Sequence, residues 1–312
     1  MRRIIALIPT ALLLSCASVQ PQPTNSGLQI ALTIDDLPLH GPYPPGDTPD
    51  SVVAGVGAAV EHLPAYGFVN AHWIGDRPDT AHVLTAWRAR GLRLGNHGWM
   101  HRHLSEMSIE QFEDELVKNE PVLAKTSAGT DWLWFRYPFL DEGKDDAQRT
   151  AARAILAKHG YRIAAVTMDF SDWAWTAPFA RCSAARNDKA VAELERTYLQ
   201  AATEGIAFAR QLSDKLYGRD IPYVVLLHES PFEARMLPRL IGLYRSAGFR
   251  FVSLPDAERD PAYADQVDPK LTAEPKGLEG KAIARGIALP QRSDFSAALA
   301  AICPGGPTAT TP

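Results

Sequence analysis

Cysteine is scarce in this 312-residue sequence, which has only three. If Cys16 belongs to a leader, as argued below, Cys182 and Cys303 can form one bridge at most, so a framework of several disulfides is excluded. In an oxidising compartment these two would pair and tie the tail of the chain to its body. Two buried free thiols are the alternative, which the spacing leaves open.

Long apolar runs are also lacking, apart from the one at Ile4–Leu14. This run follows Arg2 and Arg3 and is too short to span a bilayer, which is typical of a secretory signal. It ends in LLSC, which is similar to a bacterial lipobox and predicts lipidation of Cys16. Leu14 is a less usual residue at its position, so ordinary cleavage nearby is the alternative.

Residues 1–16 are therefore predicted to be a signal peptide with a lipobox. Residues 17–27 are polar and contain proline, as a flexible tether would. We expect an exported protein of the periplasm or cell envelope, a lipoprotein that meets the membrane only through a lipid anchor at Cys16.

Blocks of basic residues and internal repeats are lacking too. The chain has 32 Lys and Arg side chains against 36 Asp and Glu, and two of those arginines lie in the predicted leader. An acidic chain without a basic stripe argues against nucleic acid as a partner. The sequence does not indicate an oligomeric state.

Apolar residues make up 46% of the sequence, which is ample for a core. Apolar β-rich runs alternate with helical patterns along the chain. The predicted strands are Gln29–Ile34, Phe68–Trp73, Arg93–Asn96, Trp132–Phe135, Arg162–Val166, Tyr223–Leu227 and Phe249–Ser253. The predicted helices are Ser51–Tyr66, Asp79–Arg90, Ser108–Lys125, Asp145–His159, Asp188–Tyr217 and Pro231–Ala247.

This alternation predicts a mainly parallel sheet covered by helices, either open or closed as a barrel. In such folds the chemistry lies at the carboxyl ends of the strands. Polar motifs do follow five of the predicted strands: DD, NHGWMH, RYPF, DFSDW and HES. The Pro/Gly-rich segment 37–49 would form a rim of this site. Residues 256–312 would be an irregular extension with one short helix near Phe295–Ile302.

The stretch LTIDD ends the first predicted strand with two adjacent carboxylates, Asp35 and Asp36. Because buried like charges repel, each of them needs a cation or a hydrogen-bond partner. In HGWMH, His97 and His101 are four residues apart, and one helical turn would put both imidazoles on one side. With one aspartate they would form a ligand set that leaves positions for water and substrate. A histidine pair of this spacing is more often solvated or structural, which is the alternative.

The other aspartate needs a different partner, because consecutive strand side chains point to opposite faces. Arg136 could orient it through a bidentate contact, and a carboxylate beside a metal-bound water is a natural general base. His228 could protonate a leaving group, with Asp172 bonded to its other nitrogen. The alternatives are a surface cation for Arg136 and a strand-end histidine without a chemical role for His228.

Five short motifs, in order, resemble those of the polysaccharide deacetylase family, the family 4 carbohydrate esterases with a NodB-homology domain. TIDD (33–36), HGWMH (97–101), RYPF (136–139), DFSDW (169–173) and LLH (226–228) are similar to the family's T-F-D-D, H-[ST]-x-x-H, R-x-P-[FY], Asp-Trp and L-x-H motifs. The resemblance covers residues 28–255 as a catalytic domain. It implies an α/β fold, a distorted (β/α) barrel of about seven parallel strands, and metal-dependent hydrolysis of acetyl groups from sugars.

The resemblance also implies site residues, carried over position by position, and a divalent metal that is usually Zn²⁺. The catalytic residues would be Asp35 as base, Arg136 orienting it, His228 as acid and Asp172 tuning that acid. The metal ligands would be Asp36, His97 and His101. Contacts to substrate would come from the backbone N–H of Phe139, from Tyr137, and from Trp173 and Leu226 as walls of an acetyl pocket. Ordinary core packing is the alternative for Trp173.

Two positions depart from the family pattern. Ile34 replaces a phenylalanine, and Gly98 replaces the Ser or Thr whose hydroxyl would brace the metal loop, which makes the rigidity of that loop less certain. His103 is a substitute ligand if the local helix is offset. Trp99 and Trp175 could stack on sugar rings, although core positions are equally common for tryptophan.

The first functional hypothesis is an enzyme, an N-deacetylase acting on an N-acetylglucosamine-containing polysaccharide or oligosaccharide. The second is O-deacetylation of a polymer such as acetylated xylan, because amides and esters share a tetrahedral intermediate. A non-catalytic carbohydrate-binding lipoprotein is the alternative of another class. The completeness of the motif set argues against it, since a site that has lost its activity should lose polar residues first.

Overall fold

The computed structural model describes residues 27–77, 80, 82–274 and 277–304. The predicted signal peptide with Cys16 and residues 17–26 of the predicted tether lie outside the described residues. Among the described helices, none has both the length and the apolar character needed to cross a membrane.

Seven parallel strands form one sheet in the order β5-β4-β3-β2-β1-β6, with β7 paired to the start of β1. The strand β1 is buried from Ile30 to Ile34 and apolar there except at Thr33, as expected for a strand covered on both faces. The strands are β1 (Gln29–Leu37), β2 (Tyr66–Val69), β3 (Arg93–Asn96), β4 (Trp134–Phe135), β5 (Arg162–Ile163), β6 (Tyr223–His228) and β7 (Arg250–Phe251).

The segment that follows β5 brings the two edges of this sheet together. The backbone N–H groups of Thr167 and Met168 each lie 3.0 Å from the carbonyl oxygen of Val224, in β6. In return, the N–H of Leu226 donates to the carbonyl of Met168 over 3.0 Å. The sheet is thus curled into a distorted (β/α) barrel, which confirms the predicted fold class.

Helices cover the outside of the barrel, and several begin at the caps that the sequence supplies. At α4, Ser108 and Gln111 form a reciprocal capping box. The longest helix, α7, begins after Asn187 and ends where Gly218 adopts a left-handed φ of 68°. The helices are α1 (Pro49–Ala59), α2 (His72–Asp76), α3 (Val83–Ala89), α4 (Ile109–Thr126), α5 (Asp146–Lys158), α6 (Thr176–Ala184), α7 (Asp188–Tyr217), α8 (Pro231–Ser246), α9 (Leu254–Ala257), α10 (Ala264–Val267), α11 (Gly277–Ala284) and α12 (Ser296–Ala301).

The predicted strand Phe68–Trp73 starts and ends too late, and Tyr66, predicted as the end of a helix, begins β2 instead. In the structure β2 ends at Val69, and Trp73 lies in α2. The reason is that the Ala71 N–H donates to the side-chain oxygen of Asn119 over 2.8 Å, so it is directed out of the sheet toward α4. The helix α6 is a further element that the sequence analysis did not predict.

The described part of the C-terminal extension has more helices than predicted. It carries α10 and α11 besides the predicted short helix, which is α12, and α11 packs against α7. Cys182 of α6 forms a disulfide with Cys303, so the proposed pairing is confirmed. The Arg181 guanidinium donates to the carbonyl oxygens of Leu299 and Ile302 and so binds the end of α12 to α6. The boundary between residues 28–255 and 256–312 stays a prediction.

Candidate metal and catalytic site

The two aspartates at the end of β1 reach the same site because the strand is irregular there. The pairing of β1 with β2 shifts register between Ile34 and Leu37, and Asp36 has a left-handed φ of 66°. Both carboxylates consequently lie near one imidazole, with His97 Nε2 3.5 Å from Asp35 Oδ2 and 3.3 Å from Asp36 Oδ1. A bulge of this kind is a common device for re-aiming a side chain beside a functional site.

Asp36, His97 and His101 form a cluster with metal-ligand character. Their candidate ligand atoms all lie within 4.8 Å of one another, and Oδ1 of Asp36 is 3.3 Å from Nε2 of each histidine. That oxygen is buried and has no hydrogen-bond partner among the described residues. A buried carboxylate oxygen without a partner is costly, and a cation at this point would compensate it. The donor set therefore fits a divalent cation bound by nitrogen and oxygen.

The protonation of this cluster also suits a ligand set. Burial lowers the pKa of His101 to about 4, and the neighbouring histidines act in the same direction against the charge of Asp36. Burial alone would raise the pKa of Asp36, but His101 and a hydrogen bond from His40 outweigh it and hold that pKa well below its usual range. At neutral pH the site thus presents a neutral imidazole and an ionised carboxylate, the forms that bind metal.

The loop that carries the two histidines is not the helical turn that the sequence analysis expected. Gly98 has a φ of 76° and His101 a φ of 53°, so the chain is left-handed at both positions. The imidazoles converge because the loop folds back, and His97 is fixed by Nδ1, which lies 2.8 Å from the carbonyl oxygen of Arg136. Since a carbonyl only accepts, Nδ1 carries the hydrogen, and in the neutral imidazole Nε2 then has the lone pair that binds a metal.

Other side chains brace this loop in place of the hydroxyl that Gly98 lacks. Asn70 donates to the His97 carbonyl over 2.6 Å and to the Gly98 carbonyl over 3.1 Å. The Met100 N–H donates to the buried carboxylate of Glu115 over 2.6 Å. The loop is therefore held through its backbone, and its rigidity does not depend on a side chain at position 98.

Arg136 is fully buried and reaches the site from the end of β4, so it is not a surface cation. Its Nη1 lies 3.4 Å from Oδ1 and 3.3 Å from Oδ2 of Asp35. The other two nitrogens bind elsewhere: Nη2 donates to Thr33 Oγ1 over 3.1 Å, and Nε donates to the Ala164 carbonyl over 2.8 Å. The contact to Asp35 is made by one nitrogen, not by the expected two-pronged fork, because the rest of the guanidinium is bonded elsewhere. Each donor nitrogen has its own acceptor, which fixes the orientation of the group.

His228 ends β6 directly opposite Asp35 and is paired with Asp172, as the sequence analysis expected. Its Nδ1 lies 2.8 Å from Asp172 Oδ1, and its backbone N–H donates to Asp172 Oδ2, also over 2.8 Å. Burial alone would lower the pKa of His228, but the charge and hydrogen bond of Asp172 outweigh it and raise this pKa to about 10. The imidazole is consequently protonated at neutral pH.

The four residues predicted to contact substrate differ in exposure. Phe139 and Trp173 are exposed by 46% and 52%, and Phe139 has a left-handed φ of 56°. Leu226 is buried at the end of β6. The side chain of Tyr137 is only 3% exposed and packs against Phe112 and Phe135, and its contact to substrate stays a prediction.

Two further residues lie elsewhere than their suggested roles require. His103 is not a member of the ligand cluster; it stacks on the Phe139 ring at 3.7 Å and contacts Asp141. Trp175 is a core residue whose Nε1 donates to Thr197, so it cannot stack on a sugar ring.

His40 is a site residue that the sequence analysis missed. Its Nδ1 lies 2.6 Å from Asp36 Oδ2, and its ring centroid is 5.0 Å from that of His228. It lies in the segment 37–49, which the sequence analysis had placed only at the rim. The available signal was a histidine four residues after Asp36 in a loop with several prolines.

Comparison with known proteins identifies the first half of the chain. The family model described as "Polysaccharide deacetylase" matches residues 23–164, which include Asp35, Asp36, His97, His101 and Arg136. Residues 23–164 belong to the polysaccharide deacetylase family. This confirms the resemblance that the motifs indicated.

Solved structures with the same fold include members of the family labelled CE4. A mutant of BA3943, a CE4 family pseudoenzyme from Bacillus anthracis, aligns with a TM-score of 0.52 at 15% identity over 74% of this chain and 67% of that one. A second BA3943 mutant, described as having restored enzymatic activity, aligns with a TM-score of 0.51 at 16% identity over 74% of this chain and 68% of that one. The Xyl-CE4 domain of a multidomain xylanase from the hindgut metagenome of Trinervitermes trinervoides aligns with a TM-score of 0.51 at 17% identity over 81% of this chain and 98% of that one. At these identities the likeness shows the fold, and the function must be argued from the site.

Proposed function

We propose that this polysaccharide deacetylase family member is a metal-dependent hydrolase that removes acetyl groups from an N-acetylglucosamine-containing polysaccharide or oligosaccharide. The observation that carries the proposal is the unpartnered Oδ1 of Asp36, 3.3 Å from Nε2 of both His97 and His101. Close to this oxygen lie a carboxylate paired with arginine and a histidine paired with aspartate. Acyl hydrolysis needs a general base and a general acid, and these two groups can supply them.

Asp36, His97 and His101 would hold the divalent cation, and Zn²⁺ is the ion most compatible with two imidazoles and a carboxylate. When bound, the cation supplies positive charge that polarises the acetyl carbonyl and eases deprotonation of water.

Asp35 would be the general base that accepts the proton of the attacking water. Its carboxylate lies 3.3 Å from Arg136 Nη1, and Oδ2 also faces His97 at 3.5 Å. The guanidinium is itself fixed by Thr33 and Ala164, so Asp35 is held in one orientation. Such preorganisation keeps the base ready without rearrangement during the reaction.

His228 would be the general acid that protonates the departing amine. Its Nδ1 is engaged by Asp172, so the transferable proton is the one on Nε2. The pKa of about 10 keeps this proton in place at neutral pH. The backbone N–H of Phe139 would stabilise the oxyanion, a contribution of about 3 kcal/mol for donors of this kind, and Trp173 and Leu226 would wall the acetyl pocket.

We also propose that the protein is exported and anchored at the cell envelope. This rests on the signal-like residues 1–16 and the lipobox-like ending at Cys16. An acetylated polymer of the envelope would then be the accessible substrate.

O-deacetylation is the second candidate, supported by the fold shared with a CE4 domain of a xylanase. A non-catalytic carbohydrate-binding role is the third, because a CE4 family pseudoenzyme shares the fold as well. The complete set of Asp35, Arg136, Asp172 and His228 beside the ligand cluster favours an active enzyme over that third candidate.

Acetate release tests these candidates. The Zn²⁺-loaded and chelator-treated proteins are each incubated with chitooligosaccharides and with acetylated xylan. We expect acetate from the chitooligosaccharides with the loaded protein only. Acetate from xylan alone would replace the first candidate by the second, and binding without acetate release from either would favour the third.

A further inference from the structure

The second oxygen of Asp36 is held by a residue outside the five family motifs. Nδ1 of His40 lies 2.6 Å from Asp36 Oδ2, and both side chains are largely buried, at 13% and 9% exposed. A carboxylate only accepts hydrogen bonds, so Nδ1 of His40 carries the hydrogen and donates it. A short hydrogen bond to an ionised group is among the stronger ones in proteins.

The two oxygens of Asp36 therefore have different surroundings. Oδ2 accepts the hydrogen bond from His40, while Oδ1 has no partner among the described residues and faces Nε2 of His97 and of His101. A carboxylate that is free at both oxygens can bind a cation with one or with both. Here the bond from His40 leaves one oxygen for the cation and sets the rotation of the group.

The His40 side chain is itself held in place by the surrounding loop. The Leu39 N–H donates to the Asp36 carbonyl over 2.8 Å, so the chain turns back over the aspartate. On the side of β6, the His40 ring centroid lies 5.0 Å from that of His228, and the N–H of the following residue, Glu229, donates to the Asp35 carbonyl over 3.0 Å. The histidine thus lies against the ends of both β1 and β6.

We propose that His40 is a positioning residue of the metal site, which orients Asp36 so that Oδ1 alone serves as its ligand atom. The inference rests on the metal dependence proposed above and adds a residue that the five motifs do not contain. Groups that hydrogen-bond to a metal ligand in this way typically change metal affinity 10- to 100-fold when removed.

The test measures Zn²⁺ affinity by competition with a chromophoric chelator, without any substrate. His40→Ala removes the donor, and His40→Asn keeps an N–H donor near the place of Nδ1. The matched control is His159→Ala, which removes another 2.7 Å bond between a histidine and a carboxylate, here Glu113, at the C-terminal end of α5. Circular dichroism and the denaturant midpoint in excess chelator establish that each variant is folded.

We expect His40→Ala to bind Zn²⁺ about 10- to 100-fold more weakly. His40→Asn and His159→Ala should stay close to the unmodified protein. In the Co²⁺-loaded form, His40→Ala should also show weaker visible absorption, because release of Oδ2 raises the coordination number. An unchanged spectrum and affinity in His40→Ala would overturn the proposal.

The remaining outcomes are also decisive. A folded His40→Asn that is as weak as His40→Ala would overturn the proposal, because the donor would not be what matters. If His40→Ala does not fold, His40→Asn provides the test. The proposal expects this variant to keep its Zn²⁺ affinity and its Co²⁺ spectrum, and a loss of either would overturn it. Failure of the unmodified protein to bind Zn²⁺ would defeat the metal dependence itself, whereas normal binding by both protein and His40→Ala would defeat only the role of His40.

Discussion

At the residue scale, the charge repulsion between Asp35 and Asp36 is relieved by giving each carboxylate its own partners. The left-handed backbone at Asp36 turns its side chain toward His40 and His101, while Asp35 stays against Arg136. Adjacent positions on a regular strand would have pointed to opposite faces. The irregular end of β1 is therefore what allows a base and a metal ligand to be neighbours in sequence.

The separate roles of the two aspartates lead to a first prediction. Asp35→Asn keeps the size of the side chain but removes the proton acceptor, so deacetylation should fall by about 10²- to 10⁴-fold while Zn²⁺ affinity is kept. His101→Ala should instead lose Zn²⁺, as measured by metal content after dialysis. Undiminished turnover in Asp35→Asn would contradict its assignment as base, and full metal occupancy in His101→Ala would contradict the ligand assignment.

The pairing of His228 with Asp172 leads to a second prediction, on pH dependence. The folded-state pKa of His228 is raised from 6.5 to about 10, so the pair stabilises the fold fully below about pH 6.5, and this contribution is lost as the pH rises through 10. Asp172→Asn removes the charge that raises this pKa. The basic limb of the kcat/KM profile should then move to lower pH, and the variant should lose stability mainly at neutral and acidic pH. A basic limb at the same pH in both proteins would show that His228 is not the acid.

At the scale of elements, the loop 97–101 depends on a backbone that glycine adopts readily. The φ of 76° at Gly98 lies in the region that other residues reach at a cost of about 1–2 kcal/mol. This leads to a third prediction. Gly98→Ser, which restores the residue type of the family motif, should lower the free energy of unfolding by about 1 kcal/mol and weaken Zn²⁺ binding, as measured by denaturant titration and chelator competition.

The matched control for that variant is Gly242→Ser. Gly242 lies inside α8, has no heavy atom within 4 Å of an added Cβ and does not have a left-handed φ. Serine is a better helix former than glycine, so this change should be neutral or slightly stabilising. Equal effects of the two substitutions would show that the backbone of the metal loop is not strained by a side chain.

Two elements were predicted with their observed bounds, and each has a clear boundary signal in the sequence. The strand β3 leads directly into the polar motif HGWMH, and the helix α7 begins after the cap residue Asn187 and ends before Gly218. The His97–His101 spacing is compatible with a helix and equally with a folded loop, and the left-handed residues that decide between them are invisible in the pattern. His40 was missed for a related reason, because its contact to Asp36 depends on how a proline-containing loop turns back.

At the scale of the whole molecule, the C-terminal extension is built onto the barrel beside the catalytic loops. Arg292 donates to the Asp169 carbonyl over 3.1 Å, in the segment that leads to Asp172, and its guanidinium lies over the Phe208 ring at 4.6 Å. Polar, Ala- and Gly-rich composition gave no apolar period from which these contacts could be predicted. The described part of the extension is held in place by the helices on which it packs and by the disulfide.

The disulfide leads to the last prediction. Cys182 and Cys303 are 121 residues apart, and closing so long a loop restricts the unfolded chain strongly. Replacing both cysteines by serine should lower the free energy of unfolding by about 2–5 kcal/mol. Guanidinium titrations of the oxidised protein, the reduced protein and the double variant provide the comparison. The reduced protein and the double variant should agree with each other.

The same experiment separates a global effect from a local one. If the bridge acts on the unfolded chain, the double variant should show one transition at a lower midpoint, with the Zn²⁺ affinity of the folded protein unchanged. If it acts only by holding residues 277–304, the main transition should keep its midpoint and the segment should become cleavable by protease under native conditions. Because Arg181 and Arg292 also bind this segment, we expect the first result, and early cleavage with an unchanged midpoint would contradict it.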